Sequence, residues 1–140
     1  MSILSQKTEN TIEAYIGAIL KNSTSARPAW NVESAVTGKP PAWNYIDGVF
    51  ITSLLSLYGQ TRQNEFAAFA QGFTDNYIAD DGAILGYTED EYNIDHISFG
   101  RVLFDLYDLY KKEKYRKAIE CLYAQLMNHP RTEKGSFWHK

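Results

Sequence analysis

Two helix-length stretches of this chain are apolar on nearly every side, and they lie 52 residues apart. From Val102 to Tyr110 nearly every residue is apolar, and the polar exceptions, Arg101, Asp105, Asp108 and Lys112, recur at steps of four, three and four, one narrow line along an α-helix. The other stretch, Tyr45 to Tyr58, places Val49, Phe50, Ile51, Leu54, Leu55, Leu57 and Tyr58 around most of its circumference, with Thr52, Ser53 and Ser56 in the gaps and Gly59 as the expected C-cap. Helices of this kind are interior, buried on almost all sides. A shift of 52 lays Gly48 on Gly100, Ile51 on Leu103, Leu54 on Leu106, Leu57 on Leu109, Tyr58 on Tyr110 and Phe66 on Ala118.

Amphipathic helices predicted over 10–21, 62–78 and 114–128 flank the two, each with one apolar stripe, for example Phe66, Phe69, Ala70, Phe73 and Tyr77. The order is outside, inside, outside, inside, outside. Such hairpins stack so that neighbours bury what one alone cannot, and a closed ring of them is an α/α toroid. The expected fold class is therefore all-α, an incomplete (α/α)6 toroid with about two and a half of roughly six hairpins present. Residues 1–140 read as the N-terminal part of one barrel domain of a longer enzyme, because the chain stops in GSFWHK with no helix to follow. Between the helices, 22–45 carries three of the four prolines and reads as one long irregular connection. Asp80 to Tyr87 reads as a turn and a short extended piece, Asp80 and Asp81 serving turn chemistry without a third ligand for calcium.

With 140 residues, 44% of them hydrophobic, the chain can bury one core. A net charge of −3 with dispersed lysines and arginines offers no basic field for nucleic acid. The single cysteine, Cys121, reads as a small core residue, so neither a disulfide nor a zinc site is expected. MSILSQKTEN lacks the apolar run of a signal peptide and no stretch approaches a membrane span, which makes the expected location cytoplasmic, with no membrane partner. The aromatic share of 14% is of the kind found in sugar-binding clefts, but most of these rings fall at helical core spacing, so core packing is the first explanation for the majority.

The loops entering inner helices of a toroid converge at one end, and three unusual segments fall at such entries: AWNYIDG, YNIDHI and GSFWHK. Aromatic rings, a carboxylate, a histidine and a lysine gathered in one cleft suit an acidic sugar. Two roles are open to Asp95, a helix cap or a catalytic carboxylate. Tyr45 is either a sugar-contacting ring or a core ring at a helix entry.

From about Trp43 onward the chain resembles the unsaturated glucuronyl and rhamnogalacturonyl hydrolases of glycoside hydrolase families 88 and 105. The resemblance rests on W-N-Y-x-D-G at Trp43 to Gly48, I-D-H-I at Ile94 to Ile97, G-R-x-L-F-D-L-Y at Gly100 to Tyr107, K-Y-x-x-A at Lys114 to Ala118, and P-R followed by G-x-F-W-H-K at Gly135 to Lys140. It implies an (α/α)6 barrel that removes the unsaturated uronic acid from lyase-cleaved pectin or rhamnogalacturonan fragments by hydrating the C4=C5 double bond, without metal or organic cofactor. It also implies that Asp95 is the second active-site aspartate and that Tyr45, His139 and Lys140 line the sugar-acid pocket. The family's principal acid/base aspartate lies in a W-L-D-G motif beyond F-W-H-K that this sequence does not contain, so the chain alone is expected to be inactive. Two rivals remain: a non-catalytic remnant whose exposed inner helices are covered by a partner or by self-association, and another (α/α)6 carbohydrate enzyme such as a lyase or an epimerase-like isomerase.

Overall fold

A computed structural model describes residues 5–138. Among them lie seven α-helices: α1 (Gln6–Lys21), α2 (Val32–Thr37), α3 (Tyr45–Thr61), α4 (Asn64–Asp75), α5 (Ile94–Phe99), α6 (Arg101–Tyr110) and α7 (Glu113–Asn128). A single 3-10 turn spans Glu89–Glu91, and extended pairing among the described residues is confined to isolated bridges. The fold is all-α, an incomplete (α/α)6 toroid of helical hairpins.

The inner layer is α3 beside α5 and α6, and the direction of packing follows from two contacts. The Trp43 indole N–H, at the entry of α3, donates to the His96 carbonyl in the first turns of α5 at 2.8 Å. Further along, Gly48 lies so close to Phe99 that a Cβ there would sit 2.7 Å from its Cα. The paired positions advance together, so the two inner helices run parallel. α4 packs back on α3 and α7 on α6. Ile51, Leu54, Phe66, Ala70, Phe99, Leu103, Leu106, Tyr115 and Ala118 are closed off from solvent between the layers.

Both hairpins turn through two residues of the same conformations, one left-handed and the next extended: Arg62 (φ 60°) and Gln63, then Lys111 (φ 51°) and Lys112. In each, the left-handed residue returns its N–H to the carbonyl of the preceding turn, Tyr58 or Tyr107, an αL-type cap. Each hairpin also ends in the same loop. Ala79 N–H bonds to Ala83 O and Gly82 N–H to Ala79 O; Thr132 and Ser136, Gly135 and Thr132 repeat the pattern, with Gly82 and Gly135 at φ 91° and 82°. A left-handed glycine closing a tight turn is what this loop requires.

Several element boundaries differ from the sequence expectation. α1 begins at Gln6 rather than Asn10 because Ser5 Oγ accepts the Thr8 N–H, while Asn10 takes a side-chain bond from Gln6 inside the helix. The connection 22–45 contains α2, capped by Asn31 through the Ser34 N–H. α3 runs past Gly59 to Thr61, since the two-residue turn to α4 is built at Arg62 and Gln63. α4 stops at Asp75, where the Asn76 amide donates to the carbonyls of Gly72 and Phe73. The second inner helix, expected over 97–112, starts at Ile94 and is broken at Gly100 by bonds of the tighter i→i+3 kind, Gly100 N–H to Ile97 O and Leu103 N–H to Gly100 O.

The inner helices are not buried on almost all sides in this chain. Tyr45, Ile46 and Val49 on α3 and Phe104 and Leu109 on α6 are exposed, because no element among the described residues crosses that face. The expected apolar stripe of α1 is also looser than its pattern: α1 has no buried residue, and only Ile16 and Leu20 pack on the core. Cys121 is half-buried rather than a core residue.

Candidate functional site

The site is framed by the first turns of α3 and α5. Asn44 caps α3, its side-chain oxygen accepting the N–H groups of Ile46 and Asp47 at 2.9 and 3.3 Å. Asn93 caps α5 in the same way, accepting the Asp95 N–H at 3.0 Å. The cap is therefore Asn93, and Asp95 stands two residues on, inside the first turn, where the N–H groups of a helix start favour a negative charge. Asp95 is half-buried. Tyr45, the first residue of α3, is 47% exposed. Because α3 and α5 are parallel and joined at their entries by the Trp43–His96 bond, Tyr45 and Asp95 occupy the same end of the helical layer. His139 and Lys140 lie outside the described residues.

Around them the aromatic rings divide into two groups. Trp43 stacks on Phe99 at 4.1 Å and is 1% exposed, so it belongs to the core rather than to a sugar cleft. Phe137 and Trp138, which lead to His139, are partly exposed. His96 accepts at Nε2 from the Asn93 amide; burial lowers its pKa, while Glu91 and Asp95 pull it back up.

Sequence reasoning passed over Asp47. It is 0% exposed, the only fully buried carboxylate among the described residues, and it accepts the Trp30 indole N–H at 2.8 Å and the Asn31 amide at 3.3 and 3.4 Å. Burial raises its pKa, and the bonds from Trp30 and Asn31 oppose that rise. Asp47 thus ties the α1–α3 connection to the helix that presents Tyr45. Its signal in the sequence was its place three residues after the Asn44 cap, inside W-N-Y-x-D-G.

Among the described residues no group of three or more His, Cys, Asp or Glu could hold a metal ion, and no helix is long and apolar enough to cross a membrane. A surface hollow of about 260 Å³ is lined by Ser25, Phe69, Gly72, Phe73 and Asn76, none of them a candidate site residue.

Parallel inner helices backed by antiparallel outer ones, with polar groups gathered at the inner-helix entries, define an α/α-toroid protein. The profile of Glycosyl Hydrolase Family 88 matches residues 12–140, and the chain belongs to that family. It is also similar to a solved structure from C. acetobutylicum ATCC 824, described as a glycoside hydrolase from family 105, with 35% sequence identity and a TM-score of 0.77. That match covers 96% of this chain and 33% of the other, so the chain spans one third of the length of its structural relative.

Proposed function

We propose that this chain supplies one wall of an unsaturated-uronyl hydrolase site, acting on the unsaturated uronic acid that a lyase leaves at the non-reducing end of a pectin or rhamnogalacturonan fragment. The observation that carries this reading is the placement of Asp95 and Tyr45 at the same end of two parallel inner helices, tied together by the Trp43–His96 bond. In the reaction a proton is added to C4 and the oxygen of water to C5, water giving up its own proton to a base. The hemiketal so formed opens, and the rest of the sugar leaves from C1. Asp95 holds substrate or water and shifts the pKa of the principal acid by its charge. Tyr45 contacts the sugar face, and His139 and Lys140 pair with the uronate, for which a lysine is a suitable point charge.

The principal acid is not among these residues, so the chain by itself binds the acidic sugar without turnover. We place the reaction in the cytoplasm, and the exposed apolar face of α3 and α6 is covered by the remainder of a ring or by a second copy. The test is the loss of ultraviolet absorbance of the C4=C5 bond in a lyase-made disaccharide of unsaturated galacturonic acid and rhamnose. Turnover is expected only from a chain extended to the full family ring, and there Asp95→Asn should lower it by about two to four powers of ten. Full turnover by the extended Asp95→Asn enzyme would overturn this assignment.

A further inference from the structure

One buried polar connection joins two parts of the site that the helices alone do not link. Gln125 on α7 is 0% exposed and His129, just past its end, 3%. The Gln125 amide nitrogen has two protons and two acceptors: the Asn93 carbonyl at 3.1 Å and His129 Nδ1 at 3.3 Å. On the other side of the ring, His129 Nε2 lies 2.8 Å from the Trp138 carbonyl. A carbonyl can only accept, so Nε2 carries the proton, and Nδ1 is left free to accept from Gln125. Both bonds therefore select one neutral tautomer. The ring is held in place by Tyr92 and Phe137, whose planes meet it nearly at right angles with centroids at 5.7 and 5.4 Å.

We propose that Gln125 and His129 form a positioning clamp that fixes the Asp95 entry and the Phe137–Trp138 segment relative to each other. One end of the clamp is the backbone of Asn93, the residue that caps α5 two positions before Asp95. The other end is the backbone of Trp138, the residue before His139. Neither clamp residue touches substrate. Both bonds go to main-chain carbonyls, so what they fix is chain geometry. Stability alone is a poor explanation for the pair, because Gln125 Oε1 is buried with no hydrogen-bond partner among the described residues, a cost that leucine or methionine at 125 would not carry. What the polar pair provides and an apolar pair cannot is a directional link between two loops from different hairpins. This inference rests on the proposed site in giving the clamp its purpose, but the link itself can be measured without sugar.

The experiment uses the 140-residue chain. Long-range proton–nitrogen NMR reads the His129 tautomer, amide exchange reads Trp138, whose N–H bonds to Pro130 O, and titration with the unsaturated galacturonyl–rhamnose disaccharide reads binding. The expected result is the Nε2–H tautomer in the unaltered chain. His129→Phe should speed Trp138 amide exchange at least tenfold, move the Asp95 amide resonance, and weaken disaccharide binding about fivefold or more. His129→Gln, with an amide donor able to reach the Trp138 carbonyl, should restore most of the Trp138 protection. An Nδ1–H tautomer would overturn the clamp even if no variant folded. So would an unmoved Trp138 and Asp95 in a helical His129→Phe, or a loss of protection equally large at Leu54 and Ala70, which would make His129 a matter of global stability. If the unaltered chain binds no sugar while Trp138 and Asp95 respond as expected, the clamp stands and the proposed substrate falls.

Discussion

The Trp43 indole N–H and the His96 carbonyl meet at 2.8 Å, across 53 residues of chain, and this bond ties the starts of the two inner helices together. Trp43 also stacks on Phe99 and is closed off from solvent. Trp43→Phe keeps an aromatic face but removes the donor, leaving the His96 carbonyl to lose its partner and a gap where the larger ring was. The expected loss is roughly 2–4 kcal/mol. Urea unfolding followed by circular dichroism checks it, and a loss below about 0.5 kcal/mol, within the range of ordinary surface changes, would remove this bond from the account of how the entries are joined.

Gly48 and Gly100 are matched in the repeat, and both are contact points, yet they should respond differently to a methyl group. A Cβ at Gly48 meets the Phe99 backbone at 2.7 Å, and backbone cannot move without separating α3 from α5. A Cβ at Gly100 meets the tip of the Leu122 side chain at 2.4 Å, which can rotate away, and backbone only at 3.0 Å, the Ile97 carbonyl oxygen. Overpacking costs about 1–3 kcal/mol, against which alanine's better helix propensity offers about 1 kcal/mol. Gly48→Ala should therefore lose stability clearly and Gly100→Ala less, in paired denaturation curves. The reverse order would mean that α3 and α5 can shift apart more readily than Leu122 can turn.

Asp75 joins the two outer helices: it accepts the Tyr115 hydroxyl at 2.5 Å and pairs with Lys112 and Lys114 at 3.0 Å. Burial pushes its pKa up, but the bonds from Tyr115, Lys114 and Lys112 outweigh this and hold it below the ordinary value. A carboxylate whose pKa is lowered by folding stabilises above its unfolded value, about 3.9, and loses that contribution as pH falls through the folded one. Asp75→Asn should cost roughly 1–2 kcal/mol at neutral pH and progressively less as pH falls through the folded value. The check is the difference between variant and parent across a pH series; a constant difference would mean that charge plays no part.

The repeat was legible in the sequence because core positions carry volume. Ile51 and Leu103, and Leu54 and Leu106, are matched at a shift of 52, and all four are fully buried. Helix ends were less legible. The caps Asn44 and Asn93 and the connectors Arg62 and Lys111 repeat at 49 rather than 52, so the second inner helix is slid by nearly one turn past its own core. Apolar periodicity is insensitive to such a slide, because one turn later the same face returns. The exposure of Phe104 and Val49 was not legible for a different reason: a helix apolar on all sides announces that it needs cover, and says nothing of whether its own chain provides it. In the site, Asp95 and Tyr45 stood out as polar groups at helix entries. Gln125, Asp47 and His129 did not, since a lone polar residue in an amphipathic or terminal position looks solvated until its partners, distant in sequence, are known.

Asp47 gives the sharpest separation between charge and hydrogen bonding in this chain. Its carboxylate is fully buried and receives Trp30 and Asn31 from the connection that crosses α3. Asp47→Ala leaves both donors without an acceptor, which should cost roughly 2–4 kcal/mol and free Trp30 from its stack on Phe50, seen as a red shift of tryptophan emission. Asp47→Asn retains an oxygen for the Trp30 N–H and removes the charge. Because burial raises the Asp47 pKa, the protonated form is the one favoured by folding, and its contribution is lost as pH rises through the folded value. Asp47→Asn should thus match the parent in acid and equal or exceed it at neutral pH, with Trp30 emission unchanged. If it instead loses as much as the alanine variant at neutral pH, the negative charge itself is what holds the connection against α3, and the bond to Trp30 is charge-assisted strongly enough to outweigh the cost of burying it.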